Sequence, residues 1–114
     1  MRGAIFTADY NKGLKMLKEI IESYNYFYDI RTLDERSTKE SYQCRLENGD
    51  SWTLISSRFG ARGRRLNVTY IDRGLGVEFI KEIILPCLIY RPFSATHYFG
   101  EPRPGEEKYF GLLL

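Results

Sequence analysis

Apolar positions change spacing along the chain, and each change marks an element. Gly3-Ala4-Ile5-Phe6-Thr7-Ala8 is a short continuous apolar run, which predicts a buried strand. Continuity rather than alternation suits a parallel strand covered on both faces. Asp9 or Asn11 can then cap a helix over about residues 11–24. Its apolar stripe is Leu14, Leu17, Ile21 and Tyr24, widened by Met16 and Ile20, with Lys12, Lys15, Lys18, Glu19 and Glu22 opposite. Phe27 to Thr32 reads as a strand and Asp34 to Lys39 as a polar connection. Glu40–Leu46 and Ser51–Ser57 flank Glu47-Asn48-Gly49-Asp50, and Asn-Gly between two such runs is a strong hairpin signal. Arg58 to Arg64, with Gly60 and Gly63, reads as a basic loop; Leu66 to Ile71 reads as a second buried strand, ending at Asp72. Val77 to Leu85 predicts a helix with Phe79, Ile80, Ile83 and Ile84 inward, ended or kinked by Pro86. Residues 91–114, rich in Pro and Gly, read as an irregular tail with an apolar end, Leu112-Leu113-Leu114.

Strand–helix–strand order implies an α/β fold: a small, mostly parallel sheet with an antiparallel Asn-Gly hairpin added and two flanking helices. At 114 residues the chain has the length of a single domain, with its core over residues 3–90. No apolar run approaches the roughly 18 residues of a membrane helix. The opening residues are too short an apolar stretch for a signal peptide. Two cysteines, Cys44 and Cys87, make no disulfide framework and lack metal-ligand spacing. These features predict a soluble cytoplasmic protein with no membrane partner.

A net charge of +2 is too small to argue for any partner, but its distribution is informative. Arg58, Arg62, Arg64, Arg65 and Arg73 fall close together against one acid, Asp72. Arginine forks suit phosphate groups, so this stretch is a candidate nucleic-acid contact; a solvated surface loop is the plainer alternative. Nine tyrosines raise the aromatic content; Tyr24, Tyr26, Phe27 and Tyr28 cluster, as do Tyr90, Phe93, Tyr98 and Phe99, and Tyr26, Tyr28, Tyr98 and Phe99 are the candidate protein interface. The plainer alternative is a tyrosine-rimmed core.

Other chemistry is thinly represented. His97 is the only histidine and would need Cys44 or Cys87 beside it to make a nucleophile pair. Glu47 and Asp50 with Asp34 or Glu35 could be read as a metal-dependent nuclease set, but turn carboxylates usually cap. Gly74-Leu75-Gly76 is too short for a dinucleotide fingerprint.

Three stretches in order carry a resemblance: Asn48-Gly49-Asp50-Ser51-Trp52-Thr53-Leu54-Ile55-Ser56-Ser57, then Ala61-Arg62-Gly63-Arg64-Arg65, then Leu66-Asn67-Val68-Thr69-Tyr70-Ile71-Asp72. Together they resemble the middle of the ATPase domain of bacteriophage large terminase subunits and, more broadly, helicase-like P-loop ATPases. Ala4-Ile5-Phe6-Thr7-Ala8-Asp9-Tyr10-Asn11 is similar to the strand and helix that follow the phosphate loop there. The resemblance covers about residues 3–90 and implies that Asp72 stands at the Walker B aspartate. Two departures go with it. No G-x-x-x-x-G-K-[ST] phosphate loop is present, and Arg73 occupies the position of the catalytic glutamate. A cation cannot act as base toward water. The resemblance therefore implies a scaffold that has lost its chemistry, with no cofactor and no metal.

The first functional expectation is a non-catalytic phage-type accessory or inhibitor protein that binds another protein; an open sheet edge and an apolar tail also suit a homodimer. The alternative is a nucleic-acid-binding module using the basic loop, and a remote third is a magnesium-dependent nucleotidase or nuclease centred on Asp72.

Overall fold

The computed structural model describes residues 1–38, 41–56, 64–89 and 95–111. Its centre is a six-stranded sheet with strand order β2-β3-β4-β1-β6-β8. The strands are β1 (Arg2–Phe6), β2 (Thr32–Ser37), β3 (Ser41–Leu46), β4 (Ser51–Ile55), β6 (Val68–Asp72) and β8 (Ala95–Phe99). Neighbours among β4, β1, β6 and β8 run parallel, whereas β2, β3 and β4 form an antiparallel meander closed by the Asn48-Gly49 turn. Gly49 has φ +90°, which an L side chain would strain. Two short strands, β5 (Arg64–Arg65) and β7 (Leu88–Ile89), pair separately. The mixed α/β class and the hairpin agree with the sequence pattern.

Helices cover both faces. Helix α1 (Tyr10–Tyr28) lays Leu17, Leu14, Ile20 and Ile21 against Ile5, Leu54 and Trp52. Asn11 N–H and Lys12 N–H donate to Asp9 Oδ1, so Asp9 is the N-cap. On the other face Ile80 and Ile84 pack on Ala4, Phe6, Ile55 and Ile71. These two belong to the helical segment 77–87, built from α2 (Val77–Phe79), a π-helical turn (Ile80–Ile84) and α3 (Leu85–Cys87). No helix is long and apolar enough to cross a membrane, among the described residues.

Four details differ from the sequence expectation. Phe27 and Tyr28 belong to α1 and not to a strand, because the helix runs on until Asp29 adopts a left-handed conformation (φ 53°). Asp29 N–H then donates to Asn25 O, and Ile30 N–H reaches back to Tyr24 O, which closes the helix. Asp34 to Ser37, within the stretch expected as a polar connection, belong to edge strand β2, Thr32–Ser37. Its charges lie along an open edge, where they discourage pairing with another chain. Ile83, expected inward, is 38% exposed, since the π-helical turn rotates it away from the core. The tail is not irregular throughout: β8 extends the sheet beside β6, and Phe110 packs on Tyr98.

At the start of the parallel strands, Asp50 joins several pieces of chain. It accepts hydrogen bonds from the Met1 ammonium (3.1 Å), Tyr24 Oη (3.0 Å) and Asn48 Nδ2 (3.1 Å). Burial alone would raise the Asp50 pKa, but these hydrogen bonds and the ammonium charge outweigh it and hold the carboxyl below its ordinary value. A depressed carboxylate contributes stability that is present above the unfolded-state pKa and is lost as pH falls through the folded one. Asp50→Asn should therefore cost about 1–2 kcal/mol at neutral pH. In acid titrations of unfolding free energy below about pH 4 the variant should show a shallower decline than wild type. Parallel curves would refute this assignment.

Candidate functional site

Three regions compete as the functional site: the carboxyl ends of the parallel strands, the far end of α1, and the basic segments.

Because α1 follows β1 on one face and the 77–87 segment follows β6 on the other, the carboxyl ends of β1 and β6 diverge. Open α/β sheets hold ligands at such a switch point. Here Asp72, 3% exposed, fills it. Its Oδ2 accepts Ala8 N–H (3.1 Å) and lies 3.3 Å from Thr7 Oγ1; its Oδ1 accepts Gly74 N–H (2.8 Å). The Thr7 hydroxyl has a shorter contact, 2.7 Å, to Asp9 O, so the two amides are the stronger partners of Asp72. Gly100, at φ +74°, backs onto the carboxylate so closely that a Cβ would sit 2.6 Å from Oδ1 and 3.1 Å from Lys12 Nζ. The β1–α1 connection, Thr7-Ala8-Asp9, contains no glycine with which to wrap a phosphate.

Arg73 is drawn into the fold beside this latch. Its Nη1 donates to Gly100 O (2.9 Å), and its guanidinium lies 5.8 Å from the Phe110 ring centroid. Arg103 Nε donates to Gly74 O, and Val77 N–H donates to Glu106 Oε1. These contacts lace the 100–110 segment onto the turn after β6. A recess of about 610 Å³ opens beside them, bordered by Ala8, Gly76, Phe79, Glu82, Arg103 and Glu106.

The far end of α1 is different in kind. The helix has 19 residues, about 28 Å, against five-residue parallel strands of about 17 Å. Tyr24 marks where the sheet ends: its hydroxyl meets Asp50 and accepts Trp52 Nε1–H (3.3 Å). The next turn passes the sheet edge with nothing to pack on. Tyr26, Phe27 and Tyr28 are accordingly 83%, 71% and 72% exposed. They touch one another instead, with Tyr26 and Phe27 edge-to-face at 4.9 Å. Glu19, Glu22, Ser23 and Asn25 complete a groove of about 540 Å³ with Tyr26 and Phe27.

The predicted site residues thus separate. Tyr26 and Tyr28 share this aromatic end. Tyr98 and Phe99 lie at the opposite end of the sheet, half-buried against the core. Arg58 and Arg62 lie outside the described residues, as do Leu112, Leu113 and Leu114. Arg64 and Arg65 form β5, and Arg73 is engaged as above. Sequence reading missed three further arginines, Arg2, Arg36 and Arg45, which border one recess with Gln43 and Thr53. Nothing in their spacing could have grouped them, because only the strand register brings them together.

Among the described side chains, which do not include that of Cys87, the nucleophile and metal readings find no geometry. Cys44 on β3 and His97 on β8 are four strands apart, about 19 Å. His97 is exposed, with its ring stacked on Tyr70 at 5.0 Å. Burial pushes the Cys44 thiol up to about 11. In a Cys87→Ser variant, Cys44 should resist alkylation at pH 8 and react only when denaturant opens the fold; fast native labelling would refute its burial. Glu47 accepts Arg31 N–H, Asp50 is the hub described above, and Asp34 and Glu35 alternate to opposite faces of β2. Among the described residues no group of three or more His, Cys, Asp or Glu side chains could hold a metal ion.

No family model, curated protein or solved structure shows significant similarity to the chain.

Proposed function

We propose that this chain is a non-catalytic accessory or inhibitor module that acts by binding another protein through the aromatic end of α1. The observation that carries the proposal is the exposure of Tyr26, Phe27 and Tyr28 in one contiguous cluster. Scattered exposed aromatics are ordinary, but three together on a projecting helix end are the kind of anchor that dominates protein interfaces. Their surroundings select the partner. Glu19 and Glu22 border the groove, Asp29 follows the cluster, and the last turn of α1 carries no basic residue to offset its partial negative charge. A partner surface combining apolar and Lys or Arg side chains complements this end, with cations placed over the rings.

The other end of the sheet supports a binding role over a hydrolytic one. Asp72 is held by protein amides, and Arg73, which follows it, is tied to Gly100 O.

Affinity capture from cells that carry the protein tests the reading. Wild type should retain a discrete partner that Tyr26→Ser/Phe27→Ser/Tyr28→Ser loses at unchanged melting temperature. Equal recovery with both would overturn it.

A further inference from the structure

We propose a second, separate binding site: the recess bordered by Arg2, Arg36 and Arg45 takes the phosphate backbone of single-stranded nucleic acid. The site is independent of the aromatic end of α1. The register places the residues in two rows on one face of the sheet. Asp34, Arg45, Ser51 and Arg2 are successive cross-strand partners over β2, β3, β4 and β1; Arg36, Gln43, Thr53 and Ala4 form the next row. Cross-strand partners point to the same side, so the three guanidiniums rise over one surface. The 77–87 segment packs on Ala4, Phe6, Ile55 and Ile71 and so covers this face at β1, β6 and the end of β4, while Asp34, Arg36, Gln43 and Arg45 on β2 and β3 stay exposed. A recess of about 420 Å³ results.

Charge selects the occupant. Among the described residues, three arginines face a single carboxylate, Asp34. Among the described residues none of the three guanidiniums makes an ion pair, although Asp34 lies directly opposite Arg45 in register. Protection of an open edge accounts for Arg36 on β2 but not for Arg45 and Arg2, which are on interior strands. Arg36 and Arg45 are diagonal neighbours, about 7–8 Å apart, and Arg45 and Arg2 are two strands apart, about 10 Å. That is a line of forked donors at intervals suited to successive phosphates. β5, carrying Arg64 and Arg65, leads directly into Leu66, which borders the same recess. The surface is concave and presents no helix or ribbon to enter a duplex groove, and among the described residues its exposed side chains offer phosphate donors and no aromatic ring for a base to stack on, Trp52 being buried. The expected binding is therefore to single strands, through the backbone and with little regard to sequence.

Fluorescence anisotropy with the full chain tests this. The probe is a labelled oligothymidine of about 20 nucleotides, longer than one site, beside a duplex of equal length. Wild type should bind the single strand more tightly than the duplex. Affinity should fall steeply between about 50 and 200 mM salt, with a log–log slope near −2 for three contacts. Arg36→Ala/Arg45→Ala should weaken binding at least ten-fold and reduce the slope by about 1.4. The charge-matched Lys15→Ala/Lys18→Ala, exposed on α1 across the sheet, should stay within about two-fold of wild type. Absence of salt-sensitive single-strand binding, tighter binding of duplex, or equal losses in the two double variants would overturn the proposal.

Discussion

Asp72→Ala is expected to lower the unfolding free energy by about 3 kcal/mol, a large share of the 5–15 kcal/mol of a typical domain. The carboxylate bridges the loops that leave β1 and β6, accepting Ala8 N–H on one oxygen and Gly74 N–H on the other. Alanine leaves both amides without their acceptor, removes the cap of the turn Arg73–Leu75, and opens a space beside Thr7 and Gly100. Asp72→Asn keeps one acceptor oxygen but turns an amide NH₂ toward the other N–H, so its cost should lie between wild type and alanine. Denaturant unfolding of the three proteins measures the series. A catalytic role alone would leave stability unchanged, so an Asp72→Ala protein as stable as wild type would refute the structural role assigned to this residue.

The second large effect is on binding rather than folding. Tyr26, Phe27 and Tyr28 lie beyond the sheet edge, so their removal takes little from the core. Tyr26→Ser/Phe27→Ser/Tyr28→Ser should change unfolding free energy by no more than about 0.5 kcal/mol per residue. Aromatic anchors at protein interfaces cost about 2 kcal/mol or more each when truncated, roughly 30-fold in affinity, and such losses combine without strict additivity. A loss of at least a thousand-fold in partner affinity is expected from the triple variant. Thermal melting and titration calorimetry with the purified partner read the two quantities separately. Lys15→Ala/Lys18→Ala supplies a control from the same helix.

How much of this was legible in the chain depends on the physical source of each signal. The stripe Leu14, Leu17, Ile21 and Tyr24 announced α1, and Asn48-Gly49 announced the hairpin, because local geometry alone dictates both. The overrun of α1 was hidden: Phe27 and Tyr28 favour strands by propensity, and the stop is an aspartate in the left-handed region rather than a glycine. Edge strand β2 reads as a loop because its exposed residues are polar at nearly every position. Strand β8 is marked mainly by backbone pairing with β6, since its residues are half-buried or exposed. The aromatic cluster was visible in the sequence, but its division was not. Tyr24 turns inward to Asp50, and only the turn beyond it is free. The arginine recess was not visible at all, because residues 2, 36 and 45 meet only through strand register.

Photo-crosslinking tests the central claim most directly. A photoreactive phenylalanine analogue is placed at Phe27 and, in a separate protein, at Tyr109, an exposed aromatic on the turn Glu107–Phe110. Irradiation in cells that carry the protein should yield one discrete heavier adduct from position 27 and none from position 109. Adding Tyr26→Ser and Tyr28→Ser should abolish it. No adduct at position 27, or the same adducts from both positions, would contradict a protein-binding role for the aromatic end of α1.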